Sequence, residues 1–256
     1  VAKHASLGEM SALPIIDVSG SMMAPNKLPL LKRALRLLVA QLDARDSVSM
    51  VVYAGHTGVA LEPTKGDDTR RILSAIDGLS AGGSTHGSAG ITSAYALARR
   101  NFRAKGVNRV ILATDGDFNV GVTSHGELER LISSRAKSGV FLTVLGFGMG
   151  NYKDSRLELL ANKGNGNYAY IDSLAEAKKV LVKQIGGTLY TIAKDVKIQV
   201  EFNPATVAEY RLIGYENRDV ADRDFRNDDI DAGEVGSGHQ VTALYEIKLT
   251  ERPPQA

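Results

Sequence analysis

The sequence predicts an α/β fold: a doubly wound, mostly parallel six-stranded sheet with helices on both faces, followed by a small C-terminal antiparallel β module. Three observations carry that expectation. Apolar runs of strand length alternate with stretches of helical period from about residue 12 to residue 190, the pattern of parallel strands joined by helices. The runs ending in Asp17 and Asp115 are nearly all apolar, as central parallel strands must be. After about residue 191 the alternation shifts to a period of two, which marks antiparallel strands.

The elements follow from these periods in chain order. Strands are expected at Ala12–Asp17, Ser47–Ala54, Val59–Leu61, Val107–Thr114, Val140–Gly146 and Tyr168–Asp172. Helices are expected at Lys27–Leu42, Thr69–Leu79, Ile91–Phe102, Ser124–Lys137, Ser155–Asn162 and Leu174–Thr191. In the first of them Leu28, Leu31, Leu35, Leu38 and Leu42 share one broad face. Pro14 is an irregularity, because a proline cannot donate to the ladder of a central strand. It marks either the true start of that strand or a distortion near the chain end. Beyond residue 191, Lys194–Phe202, Val207–Gly214 and Gln240–Leu249 read as three strands. Asn217–Gly238, acidic and rich in Gly, Asp and Asn, reads as a loop. Three strands are too few for a sandwich, so they must dock, pair with another segment or leave edges open. The expected organisation is an arm at 1–11, an α/β domain at 12–190, a β-rich module at 191–250 and a disordered tail at 251–256.

Composition narrows the function. At 256 residues the chain can bury a large core, and 23% charged with 43% hydrophobic residues is ordinary for a globular protein. A net charge of +2 with mixed signs implies no strong field for nucleic acid or an anionic membrane. There is no Cys, which excludes disulfides, thiolate chemistry and Cys-based zinc sites. No apolar run is long enough to span a bilayer. The chain starts at Val and lacks a signal-peptide pattern, so it reads as a fragment or a processed form.

Asp17, Ser19 and Ser21 form D-x-S-x-S in IIDVSGSM. An apolar strand there ends in a carboxylate and then offers hydroxyls at alternate positions. Five residues of loop can bend these oxygens around one point, and oxygen-only coordination suits a hard cation. Neutral hydroxyls do little to quench the charge of such a cation, which stays able to accept a carboxylate from another molecule. In the same chain GGST places Thr85 after a Gly-rich turn, and LATDGD places Asp115 at the end of a second apolar run.

D-x-S-x-S, then Thr, then Asp resembles the metal-ion-dependent adhesion site of the von Willebrand factor A family. The resemblance implies that Ser19, Ser21 and Thr85 supply hydroxyl ligands, while Asp17 and Asp115 hold the metal directly or through water. It implies a Rossmann-like sheet, Mg²⁺ as the cofactor with Mn²⁺ or Ca²⁺ as alternatives, and a protein partner offering an Asp or Glu carboxylate. NRVILATDGDFNVG, LTVLGFGMGNY, GNGNYAYID, DVKIQVEFNP and YRLIGYENR widen the likeness to roughly residues 12–250. They look like a bacterial branch in which a β-rich region flanks the A domain on both sides, at the cell envelope or outside it. The binding face implied is made by Met22–Asn26, Ala81–His86, Asp117–Thr123 and Gly148–Lys153.

Competing readings are weaker. Asp115, Asp117 and Asn119 begin like an EF-hand loop, but the Gly and Glu it requires are Val120 and Gly126. GFGMGN follows the wrong strand for a dinucleotide loop, and no P-loop motif occurs. His4, His56, His86, His125 and His239 are scattered, with His86 beside Thr85 but better read as an exposed residue. Tyr53 and Tyr95 read as core or sheet-edge residues, and Tyr152 as a border of the binding face. Ser and Asp also cap helices, so Ser21 has an alternative role at the helix after Pro25. Ser19 and Ser21 have no nucleophile elbow or expected His base. The reading is therefore a non-enzymatic, metal-dependent protein-binding module. The alternative is a structural assembly protein of the cell envelope whose β module associates without the metal.

Overall fold

The computed structural model describes residues 9–83, 87–116, 125–148, 154–184, 191–214, 220–227, 232–236 and 240–250. Strand β1 (Met10–Asp17) is buried along its whole length. It pairs in parallel with β2 (Ser47–Tyr53) on one side and with β4 (Val107–Thr114) on the other. β3 (Thr57–Lys65) lies antiparallel to β2 at one edge. β5 (Val140–Phe147) and β6 (Tyr168–Ile171) continue in parallel beyond β4. The order of the six strands is β3-β2-β1-β4-β5-β6. From β1 the chain first builds outward through β2 and β3, then returns to β4 and builds the other way. The reversal therefore falls between β1 and β4, and such a switch point leaves a crevice at the carboxyl ends of the two strands.

Side-chain alternation along β1 sorts the helices into two layers. Met10, Ala12 and Ile16 face one layer, with α1 (Leu28–Val39), α2 (Thr69–Asp77) and α6 (Leu174–Lys178). Leu13 and Ile15 face the other, with α3 (Gly87–Arg100), α4 (His125–Lys137) and α5 (Asp154–Lys163). Each fully buried Leu, Ile or Val contributes about 1.5–3 kcal/mol, so β1, β4 and β5 form a stiff frame whose ends cannot drift. α1 begins with Pro29 in its first turn, where a missing N–H costs nothing. The buried face of α1 contains Leu28, Leu31, Leu35 and Leu38, as its period requires, and Leu42 is buried just beyond its end. Among the described residues, no helix is long and apolar enough to cross a membrane.

The structure corrects several local expectations. β1 starts at Met10 and runs through Pro14, which neither starts nor ends it. Its register with β4 is continuous across Pro14, whereas the register with β2 omits Leu13 and Pro14. β3 is nine residues rather than three, because an exposed edge strand carries polar residues and two irregularities that hide its period. α3 begins a turn before Ile91, where small residues give little apolar signal. The helix expected to reach Thr191 ends in a π-helical turn at Lys179–Lys183, and β7 (Thr191–Val196) begins at Thr191 itself. Residues 197–203 are not strand, although KIQVEF alternates. The expected loop instead supplies β9 (Gly233–Gly236), which pairs with β7. β8 (Val207–Ile213) and β10 (Leu244–Leu249) form a second antiparallel pair. Among the described residues the β-rich region is thus two separate two-stranded sheets rather than one of three strands.

Candidate metal centre

Asp17 is the last residue of β1, and Asp115 follows the last residue of β4. Both are buried at the switch point. Asp17 accepts the Ser19 N–H on Oδ1 at 2.9 Å. Its Oδ2 accepts the Tyr53 hydroxyl at 3.1 Å and the Thr114 hydroxyl at 3.1 Å. Thr114 Oγ1 in turn accepts the Gly116 N–H at 3.3 Å. These bonds tie the ends of β1, β2 and β4 to one carboxylate and bend the chain after Asp17 into a tight loop.

In that loop Ser19 Oγ and Ser21 Oγ are 3.0 Å apart, close enough to share a hydrogen bond. Gly20–Met23 forms a short 3₁₀ turn, and α1 starts later with no side-chain cap, so Ser21 does not cap that helix. The neighbouring loop is laced to this one by two backbone bonds, Gly20 N–H to the Gly83 carbonyl (3.0 Å) and Gly82 N–H to the Val18 carbonyl (2.7 Å). Gly83 sits at φ +80°, a conformation that glycine adopts without strain. The chain before residue 84 is therefore fixed beside the serines. Thr85 lies outside the described residues, as do His86, Asp117, Asn119 and Tyr152.

Burial pushes the Asp17 carboxyl up from its ordinary value, against the hydrogen bonds from Ser19 and Thr114, and the nearby charge of Asp115 pushes it further up. The Tyr53 phenol, wholly buried and facing Asp17, is raised well above its ordinary value, so it stays protonated as a donor. Asp115 has a different partner. Lys27 Nζ donates to its Oδ2 at 2.8 Å, with the acid buried and the lysine stem 23% exposed.

Sequence reasoning missed three participants. The sequence marks Tyr53 only as a core or sheet-edge residue; it is a core residue whose hydroxyl also serves Asp17, through a pairing that places the two opposite each other in the β1–β2 register. Thr114 was only a strand end, although a Thr directly before the acid of LATDGD is the signal that was available. Lys27 was only the first residue of a helix. His56 is exposed, and Tyr95 is a buried core residue.

The donor set fits a hard cation: two acids and two converging hydroxyls, with no sulfur and no histidine among these four. Among the described residues no three His, Asp or Glu side chains group around a metal position. A site here depends on hydroxyls, which the spacing of the two serines provides.

A doubly wound sheet with an acid-and-hydroxyl loop at its switch point defines the class. The family model described as von Willebrand factor type A domain matches residues 14–184, and the chain belongs to that family. A second family model, described as the C-terminal part of the uncharacterized protein YfbK, matches residues 187–255. The protein YfbK of Escherichia coli (strain K12) is 46% identical over 235 residues, covering 92% of this chain and 41% of that one. The chain thus spans less than half the length of that relative. Among solved structures, manganese-loaded TRAP protein from Plasmodium vivax superposes with a TM-score of 0.54 at 23% identity, covering 68% of this chain and 73% of that one. Proximal thread matrix protein 1 from the mussel byssus, with a zinc-occupied MIDAS motif, gives 0.54 at 24% identity, covering 69% and 44%. At those identities the likeness concerns the fold.

Proposed function

We propose that this chain binds a partner protein through a divalent cation held between the ends of β1 and β4, where a carboxylate of the partner completes the coordination. One observation carries the reading. Ligand oxygens about 2.1 Å from an octahedral Mg²⁺ stand about 3.0 Å apart along an edge, and Ser19 Oγ and Ser21 Oγ are already 3.0 Å apart. Ser19, Ser21 and Thr85 would hold the cation, with Asp115 beside it. Asp17 already accepts three hydrogen bonds, so its contribution is to orient the loop and supply negative charge. The bound cation would supply an electrophilic point that neutral hydroxyls leave unquenched. The metals carried by the Plasmodium and mussel proteins support a divalent ion in this fold. Mg²⁺ is our assignment, with Mn²⁺ and Ca²⁺ as alternatives of the same hard class. Binding rather than catalysis is our reading, because the two serine hydroxyls converge on each other and the carboxylate beside them, Asp17, is taken up by hydrogen bonds from Ser19, Tyr53 and Thr114.

The test is calorimetric. Mg²⁺ titrated into the protein should release or absorb heat, and Asp17→Ala should abolish it while the far-ultraviolet circular dichroism stays that of a folded α/β protein. EDTA should eliminate capture of an acidic peptide or partner. An unchanged titration for Asp17→Ala would remove the basis of the proposal.

A second reading is favoured by the apolar residues that β8 and β10 leave exposed, among them Tyr210, Ile213, Leu244, Ile247 and Leu249. There the β-rich region associates edge to edge and the metal is unused. Light scattering in the same EDTA series separates the two, since assembly through these strands would be indifferent to chelator.

A further inference from the structure

We propose that Lys27 is a built-in competitor for the divalent cation: its ammonium holds Asp115 in the metal-free protein and must leave before a metal can use that acid. The inference rests on the metal reading above and adds to it the element that sets its threshold.

The two acids of the site are treated differently. Asp17 receives three hydrogen bonds from neutral donors. Asp115, equally buried, receives a full positive charge from Lys27 at 2.8 Å. A buried carboxylate is costly without a counter-charge, and here the chain supplies one itself. The lysine reaches Asp115 along a passage that the sequence keeps open. Gly148, at the end of β5, lies under its stem; a Cβ there would stand 2.9 Å from Lys27 Cε, 3.7 Å from Cγ and 3.8 Å from Cδ. Gly148 adopts φ +109°, which also disfavours a side chain. Its carbonyl accepts the Tyr170 hydroxyl, which fixes the strand end beneath the lysine. The start of α1 and the ends of β4 and β5 thus meet around this one lysine, its ammonium on Asp115 and its stem over Gly148.

An ammonium is a compact charge on a flexible stem, so it can swing out where a rigid guanidinium fork would resist. While it sits on Asp115 it cancels the charge a metal needs, and once displaced it remains close enough to repel the metal. Both effects weaken metal binding and neither requires a change in the fold. Removing the charge should therefore tighten binding, the opposite of what loss of an ordinary structural residue does.

The experiment compares Mg²⁺ titrations of the wild type, Lys27→Met and Lys27→Arg by calorimetry. Lys27→Met should bind Mg²⁺ roughly tenfold more tightly or better, because a unit charge beside the acid is gone. Lys27→Arg keeps the charge and should stay nearer to the wild type than Lys27→Met. In the wild type, acylation of Lys27 by an N-hydroxysuccinimide ester, read by mass spectrometry, should be slow in EDTA and faster in saturating Mg²⁺. This readout decides the matter if Lys27→Met does not fold. Equal or weaker binding by a folded Lys27→Met, or labelling indifferent to Mg²⁺, overturns the competitor role while leaving the metal site standing. Heat from Lys27→Met alone, with a silent wild type, supports the proposal in its strongest form. Absence of binding by both proteins overturns the proposal together with the metal reading.

Discussion

β4 and β8 are strands of eight and seven residues, and both contain large apolar side chains. In β4 every residue from Asn108 to Thr114 is buried. In β8 none is, and Tyr210 is 58% exposed. Their neighbours make the difference. β4 lies between β1 and β5 with helices above and below. Among the described residues β8 pairs with β10 alone, beside an aromatic cluster of Phe202, Tyr210 and Tyr245 with ring centroids 4.8–6.5 Å apart. A frame paired on both sides can hold oxygen atoms at fixed separations, as the Asp17 site requires. A two-stranded ribbon is only marginally stable alone and offers apolar surface instead of a rigid pocket.

That contrast can be broken by substitution. The largest effect is expected in the sheet. Leu112→Ala should cost about 2–5 kcal/mol, because the packed layers cannot close the cavity. Leu249→Ala on exposed β10 should stay within about 0.5 kcal/mol. Urea midpoints measure both, and equal shifts would show that the β-rich region is as tightly packed as the sheet. Next in size is Tyr53→Phe. It removes one of the two hydroxyl donors to Asp17 Oδ2 and should cost about 1 kcal/mol. It should also weaken Mg²⁺ binding several-fold in calorimetry, since the carboxylate loses part of its hold. Unaltered affinity would mean that the tyrosine serves only the core. Smaller than the loss of the tyrosine hydroxyl, Glu246→Ala should change stability by about 0.2–1 kcal/mol, and less in high salt, because its pair with Arg211 is exposed.

Much of the sheet was legible because buried parallel strands leave long apolar runs and amphipathic helices leave a 3.6-residue period. β2, β4 and β5 fall within one or two residues of their expected places for that reason. The failures cluster where burial is partial. Edge strand β3 hides behind polar residues, and β9 lies in Gly- and Asp-rich sequence with little apolar content. KIQVEF has the right alternation, yet Ile198 is 71% exposed and no strand forms there, since alternation without a partner strand fixes nothing. At the site, D-x-S-x-S announced Asp17, Ser19 and Ser21 because the motif is local. Tyr53, Thr114 and Lys27 are 36, 97 and 88 residues from the acids they serve.

By itself, the sequence determined the class of fold, the acids at the strand ends and the hydroxyls that follow the first of them. Each depends on periodicity or on a motif a few residues long. Only the tertiary structure decided which strand lies next to which, and therefore that the phenol of Tyr53 and the hydroxyl of Thr114 meet Asp17 while the ammonium of Lys27 meets Asp115. The physical reason is that hydrogen bonds and ion pairs act over about 3 Å, and only register and packing bring residues so far apart in the chain within that distance.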